Sequence, residues 1–402
     1  MDVQGFQLTY CTNIHPGETW EGTFNNLKLH VPQIRQKLAG DAAFGIGLRL
    51  SNEASLELHQ AEKLREFKDW LEKHGCYVFT LNGFPYGGFH RTVVKDQVHF
   101  PDWSSAERKE YTARLFDILE ILLPRELDGG ISTSPLSYKF WHDGDQEIEE
   151  VKRQSTLHLV EIAAKLYRIR QQAGKLLHLD IEPEPDGLLE NTQDVLDFYR
   201  DWLVPLGQEI LSRDLNLNAV EAEAALKEHI RICYDVCHFA VVYEHPHEVF
   251  AAFGKEGIKV GKVQLSAALK VKIPEPSARA DLKTLLLPFA ESTYLHQVVG
   301  WHGNGRLSSY RDLPMALNQL SQAPDLEWRI HFHVPVFLEN YGKLSSTQAD
   351  ILQVLEILRA ERISNHLEVE TYTWEVLPEE INLNLTQSIT RELQWVIEHM
   401  KR

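Results

Sequence analysis

Cysteine is scarce in this chain, with 4 in 402 residues, and the spacings of Cys11, Cys76, Cys233 and Cys237 fit neither a zinc knuckle nor a disulfide framework. All four fall in runs that read as strands or strand ends, so reduced core thiols are expected. Cys237 stands apart because it lies inside a candidate metal motif. No apolar run approaches the roughly 20 residues of a membrane span, and the start, MDVQGFQLTY, has neither the charged end nor the apolar run of a signal peptide. A cytoplasmic location without direct membrane insertion is the expectation. Long basic runs are missing too. With 58 acidic against 41 basic residues and a formal net charge of −17, the chain repels polyanions, and nucleic acid is not an expected partner. There is no low-complexity segment, no short repeat, and no Gly-rich phosphate fingerprint after the first strand run.

What is present is an ordinary globular balance, 43% hydrophobic and 25% charged, organised as short β-branched and aromatic runs bounded by turn signals. They are FQLTYCTN, FGIGLRLS, CYVFTLNGF, GGISTSPL, LLHLDIEP, IRICYDVCHF, KVQLSAAL, WRIHFHVPVF and LEVETYTW. Helical patterns such as LELHQAEKLREFKDWLEKHG and RQSTLHLVEIAAKLYRIRQQAGK lie between them, each closed by Gly or a Gly-Lys step. Strand followed by helix, about eight times over, predicts an α/β fold of the (β/α)₈ TIM-barrel type in one domain over 1–402. The surplus over a minimal barrel is expected as insertions near 84–127, 183–229 and 270–327. An open, doubly wound sheet is the alternative, since nine strand runs could also form one.

In such a barrel the active site lies at the carboxyl ends of the strands, and polar residues close most of the runs. Asn13 and His15 end the first, Arg49 the second, Asn82 the third, Asp180 and Glu182 the fifth, Asp235 and His238 the sixth, Gln264 and Ser266 the seventh, and Glu370 the last. Asp235-x-x-His238 can present two ligands to one cation, or one ligand and one proton carrier. Equally, such an Asp can cap a helix and such a His can satisfy a buried polar contact. Glu182 is pinned in LDIEPEP by two prolines and reads as a ligand, while Glu184 and Asp186 beside it read as solvated charges. Glu368, Glu370 and Tyr372 share one strand face, and RIHFHVPVF places His331 and His333 on one face of another. His245 and His247 read as a solvated helix start, and His302 as part of a polar turn.

The placing of these residues resembles the xylose isomerase-like superfamily of sugar-phosphate isomerases and epimerases, which also includes the endonuclease IV group. The segments YCTNIHPGETW, LNGFPYGGFH, LDIEPEPDG, CYDVCHF, KVQLSAAL, WRIHFHVPVF and EVETYTWEVLP resemble more closely the EboE family, described as a metabolite traffic protein of the bacterial ebo cluster. The superfamily resemblance implies a divalent metal, Mn, Zn, Fe or Mg, and proton transfer next to a carbonyl. Glu182, Asp235 and Glu370 match its carboxylate ligands, and His238 its substrate- or second-metal-binding histidine. Gln264 stands where isomerases usually have His, so the ligand set becomes Glu182, Asp235, His238, Glu370 and either Gln264 or His333. Glu182 and Glu370 are the candidate catalytic pair. Asn13, His15, Arg49, Asn82, His90 and His331 are the candidate substrate contacts. The implied function is isomerase- or epimerase-like action on a small metabolite in an ebo-type secondary-metabolite pathway, with other ebo-cluster proteins as partners. A non-catalytic carrier or scaffold is the alternative, and an endonuclease IV-like repair enzyme fits the charge poorly.

Overall fold

The computed structural model describes residues 1–90, 93–373 and 384–401. Eight parallel strands form a ring: β1 (Phe6–Tyr10), β2 (Phe44–Arg49), β3 (Cys76–Asn82), β4 (Gly129–Thr133), β5 (Leu177–Ile181), β6 (Ile230–Asp235), β7 (Val260–Leu265) and β8 (His366–Val369). From β2 to β7 each strand pairs with its sequence neighbour, and β8 pairs with both β7 and β1. The β1–β2 seam has one backbone bridge, Cys11 to Gly47, and threonine hydroxyls stitch the rest. Thr9 Oγ1 donates to the Gly45 carbonyl at 2.8 Å and accepts from the Gly47 amide at 3.0 Å, while Thr12 Oγ1 accepts from the Arg49 amide at 2.8 Å. First and last strands pair and the seam closes, so the fold is a (β/α)₈ barrel and not an open sheet.

Side chains alternate along each strand, and the inward set is unusually polar. Lys262 on β7 reaches across the interior to Glu368 on β8 at 2.6 Å and to Ser132 on β4 at 2.9 Å, and both charged residues are 0% exposed. Gly47 makes room for this pair: a Cβ there would sit 1.9 Å from Glu368 Oε1. The outer layer is helical. The pattern LELHQAEKLREFKDWLEKHG forms two helices, Asn52–Leu58 and Ala61–Lys73, the second burying Leu64, Phe67 and Leu71. The second pattern lies within the helix Asp145–Ala173, ended by Gly174 at φ +71°. The insertion at 183–229 is entirely helical after its opening loop, ending in Val204–Leu215 and Ala219–His229. Among the described residues no helix is long and apolar enough to cross a membrane.

The third insertion is larger than the 270–327 expected from sequence. The chain leaves β7 at Ser266 and runs directly into a strand of a second, antiparallel sheet, Ala267–Lys272, and that sheet continues to Ser346. The run RIHFHVPVF is therefore not a barrel strand. It is Glu327–Val334, paired with Ala267–Lys272 on one side and Val298–Trp301 on the other. Nine strand runs were visible because one belongs to the insertion. His302 lies in the turn between Val298–Trp301 and Leu307–Tyr310, and His245 and His247 are exposed at a helix start, as read from sequence.

Removing one partner of the Lys262–Glu368 pair strands a buried charge. Lys262→Met should cost about 3–5 kcal/mol in urea denaturation, and the double change Lys262→Met/Glu368→Leu considerably less. Equal losses in both proteins would show that the pair is not what Lys262 contributes.

Candidate metal centre

Three strand ends bring three carboxylates together. Glu182 follows β5, Asp235 ends β6 and Glu370 follows β8, and a ligand oxygen of each lies within 4.8 Å of the other two. Asp235 resolves a choice that its sequence left open. Its Oδ1 accepts from the His238 amide at 3.0 Å, capping the helix Val236–Val241, and from Ser266 Oγ at 2.7 Å, while its buried Oδ2 has no hydrogen-bond partner. One oxygen caps and the other is free. Glu370 Oε1 accepts from the amides of Asn13 at 2.7 Å and Asn82 at 3.0 Å, so these two candidate substrate contacts are spent on orienting a carboxylate. Glu182 Oε2 is buried without a partner.

Three imidazoles stand beside them, and their proton positions follow from their neighbours. His238 Nδ1 is 3.0 Å from the Pro183 carbonyl and His333 Nδ1 is 3.0 Å from the Glu370 carbonyl. A carbonyl only accepts, so both rings carry their proton on Nδ1. His331 Nδ1 lies 2.8 Å from Gln297 Oε1, and the Gln297 amide nitrogen is already donating to the Pro185 carbonyl at 2.9 Å. His331 is therefore the same tautomer. All three present bare Nε2 atoms. Those of His238 and His331 face each other at 3.1 Å, and that of His333 has no partner. Two nitrogen lone pairs at that separation repel unless a proton or a cation lies between them. The free oxygens and bare nitrogens together form the donor set of a divalent cation.

The insertion supplies two of these three rings. Between Ile330 and His333 the register against Ala267–Lys272 shifts, a bulge that turns His331 and His333 toward the barrel mouth. Cys237 joins them, with its sulfur within 4.8 Å of ring nitrogens of both.

Electrostatics points the same way. Glu182, Glu184, Asp235, Glu368 and Glu370 are all buried, and among the described lysines only Lys262 is buried with them. Burial raises the Glu182 and Glu370 carboxyls well above the usual range, and their acidic neighbours, Asp235 among them, raise them further. Burial likewise drives His238 and His331 well below the ordinary imidazole value, with lesser contributions from each one's neighbouring histidines, and lowers His333. Neutral imidazoles beside proton-hungry carboxylates are suited to a metal, which replaces the protons with a fixed positive charge.

Glu184 corrects the sequence reading. Far from being solvated it is 7% exposed, raised well above the carboxylate range by burial first and Asp235 next, and grouped with His238 and His331. Asp186 is buried too, 3.4 Å from Lys139. Glu184 shares strand parity with Glu182, a signal that was available. His99, fully buried 3.5 Å from Glu184 Oε2, carried none, because it closes a short 3-10 helix, Lys95–His99, within an insertion. Lys262 was legible as an inward position two before Gln264.

A cavity of about 50 Å³ opens onto the centre, lined by Glu182, Glu184, His238, His331, His333 and Glu370 on its floor. Phe84, Phe89, Val98, Tyr294 and Tyr372 form its apolar wall. It holds a few water-sized groups. Of the other candidate contacts, Asn13, Asn82 and His331 line it, whereas His15, Arg49 and His90 do not. His15 is hydrogen-bonded to Tyr10 at 2.9 Å and stacked on His30, Arg49 is paired with Glu18 at 3.3 Å, and a ring nitrogen of His90 meets the Asn13 carbonyl. Gln264 is also absent from the lining, its amide oxygen accepting from the Cys233 thiol at 3.0 Å.

No family model matches the chain, and no curated protein matches it. Among solved structures it is similar to the IOLI protein with a binding zinc atom, at 12% identity, 98% coverage of each chain and a TM-score of 0.46. It is also similar to a xylose isomerase-like TIM barrel protein from Mycobacterium smegmatis in complex with magnesium, at 10% identity, 98% coverage of this chain, 96% of that one and a TM-score of 0.49. A third is a xylose isomerase domain containing protein from Salmonella typhimurium, at 11% identity, full coverage of both chains and a TM-score of 0.46. Each is a likeness in shape, and the barrel assignment rests on the strand order above.

The raised carboxyls set a pH dependence. Above about pH 7 the histidines are neutral folded or unfolded, while the raised carboxyls of Glu182, Glu184 and Glu370 hold protons in the folded chain to higher pH than in the unfolded chain. Their contribution to stability therefore falls as pH rises. The Tm of chelator-treated protein should drop as pH rises through the raised carboxyl range, less steeply in Glu182→Gln, and added Mn or Zn should flatten the slope. Identical slopes in wild type and Glu182→Gln would contradict this origin.

Proposed function

We propose that this chain is a divalent-metal-dependent, isomerase- or epimerase-like enzyme acting on a small metabolite. The observation that carries the reading is two overlapping sets of buried donors that share Asp235, namely Glu182, Asp235 and Glu370, and Asp235, His238 and His333, in which Glu182 Oε2, Asp235 Oδ2 and His333 Nε2 have no hydrogen-bond partner. Glu182, Asp235, Glu370 and His333 would hold the cation, with His238 and His331 beside it. When bound there, a divalent cation polarises a carbonyl oxygen. Glu182, which lines the cavity, would take the proton from the carbon next to that carbonyl. Glu370, fixed by Asn13 and Asn82, would return a proton to the neighbouring carbon or to the other face of the same one. The apolar wall keeps bulk water from the intermediate, while the proton held on the carboxyl exchanges with solvent between turnovers.

The finer placement, in processing or export of a secondary metabolite by an ebo-type pathway in the cytoplasm, rests on the sequence resemblance alone. A second reading, a metal-bearing carrier without turnover, is favoured by Gln264, which stands where isomerases usually have His and whose amide oxygen is engaged by Cys233. Gln264, engaged by Cys233, is the weaker candidate for the missing ligand. His333→Ala should therefore lose metal about as severely as Asp235→Ala, and Gln264→Ala less, by elemental analysis of protein purified without chelator. The opposite ranking assigns the ligand to Gln264.

Turnover is tested by solvent exchange. Metal-loaded protein in deuterated water, offered ketoses, inosose-like polyols and candidate pathway metabolites, should label one of them at a single carbon. Glu182→Gln should slow labelling by roughly 10²–10⁴-fold. Tight binding of a metabolite with no label in wild type would overturn the enzyme reading in favour of the carrier.

A further inference from the structure

The opposite mouth of the barrel carries a second group of metal-ligating side chains that plays no part in the chemistry above. Asp128 immediately precedes β4, His178 is the second residue of β5 and His366 the first of β8. β4 and β5 neighbour one another, whereas β8 lies between β1 and β7 elsewhere in the ring. One ligand atom from each residue lies within 4.8 Å of the other two. His178 and His366 are buried, while Asp128 retains 31% side-chain exposure, so the group is reachable from solvent.

His178 decides the matter. Its Nδ1 is 2.6 Å from Asp180 Oδ1, and a carboxylate there takes the ring proton. The Nε2 is left as a lone pair, fully buried, with no hydrogen-bond partner, and it faces Asp128 Oδ2 at 3.6 Å. Two electron-rich atoms are thus held toward each other. His366 Nε2 approaches the other Asp128 oxygen at 3.1 Å. Ligands held at about 2.0–2.1 Å around a tetrahedral zinc stand roughly 3.3–3.4 Å apart, and the two measured separations bracket that spacing. Asp180 also fills the role of the carboxylate that orients a ligating histidine. It is seated with no room to spare: a Cβ at Gly130 or Gly261 would come within 2.4 or 1.9 Å of its oxygens. Arg231 Nη1, 3.5 Å from Asp128 Oδ2, already pairs with that carboxylate from one side. The competing arrangement is a second proton on His178, making an imidazolium between two aspartates.

We propose that Asp128, His178 and His366 bind a zinc-type cation that clasps the amino-terminal mouth of the barrel. Two imidazoles and one carboxylate suit zinc or cobalt over magnesium. The cation ties β8 to β4 and β5, neither of which β8 adjoins, and at this end of a barrel its role is stability.

The test separates the two mouths. Asp235→Asn/His333→Ala protein, disabled at the upper centre, should still bind about one zinc per chain at equilibrium and show a zinc-dependent rise in Tm. Adding His366→Ala or His178→Gln should abolish both, and Asp180→Asn should weaken zinc roughly 10–100-fold. If the double variant does not fold, wild type compared with His366→Ala should show the same loss of one zinc equivalent. Zinc content unchanged by His366→Ala and by His178→Gln, or no zinc in a folded upper-site variant, overturns the proposal and leaves the imidazolium. Neither result bears on the upper centre, whose own failure would appear as metal content unmoved by Asp235→Ala.

Discussion

Buried negative charge without enough positive charge to match it is the constraint around which this molecule is arranged. Lys262 and Glu368 neutralise one another inside the barrel at 2.6 Å, and above them Glu182, Asp235 and Glu370 share a space that no second buried lysine enters. Carboxylates so close cannot all ionise unless a cation joins them. Much local detail serves this arrangement. Gly47 has no side chain because Glu368 occupies the place of one, and Asn13 and Asn82 hold Glu370 with neutral amides.

The inserted sheet extends a barrel strand into a second layer without a turn. Ser266, at the junction, donates to Asp235 and accepts from the Cys237 amide, which fixes the sheet and the helix after β6 to the same carboxylate. The bulge in Glu327–Val334 then sets His331 and His333 against His238. On the other side, Glu392 of the helix Leu385–Met400 accepts from Thr371 and from the Val336 amide, tying the end of β8 to the end of the inserted strand. The histidines are thus held from two directions, which is how an added element can contribute to a site formed by barrel strand ends.

The two mouths use similar ingredients to different ends. At the carboxyl end the donors line a cavity with an apolar wall, where a substrate can be held. At the amino end Asp128, His178 and His366 stand beside Gly130 and Gly261, whose missing side chains leave room for Asp180.

Local pattern determined the strand runs, the helices between them and the carboxylates that end the strands, because alternation and apolar periodicity are properties of neighbouring residues, whereas closure into a barrel rests on the pairing of β8 with β1. Glu182, Asp235 and Glu370 were legible for that reason, and so was the departure at Gln264. Tertiary structure alone decided the assignment of RIHFHVPVF to a second sheet, the burial of Glu184, the arrival of His99, and the exclusion of His15 and Arg49 from the cavity. Those depend on partners far off in sequence: the Pro183 carbonyl that sets the proton of His238 also brings that ring to His331, 93 residues away. A lone pair's direction is fixed by what stands opposite it, and no window of sequence contains both.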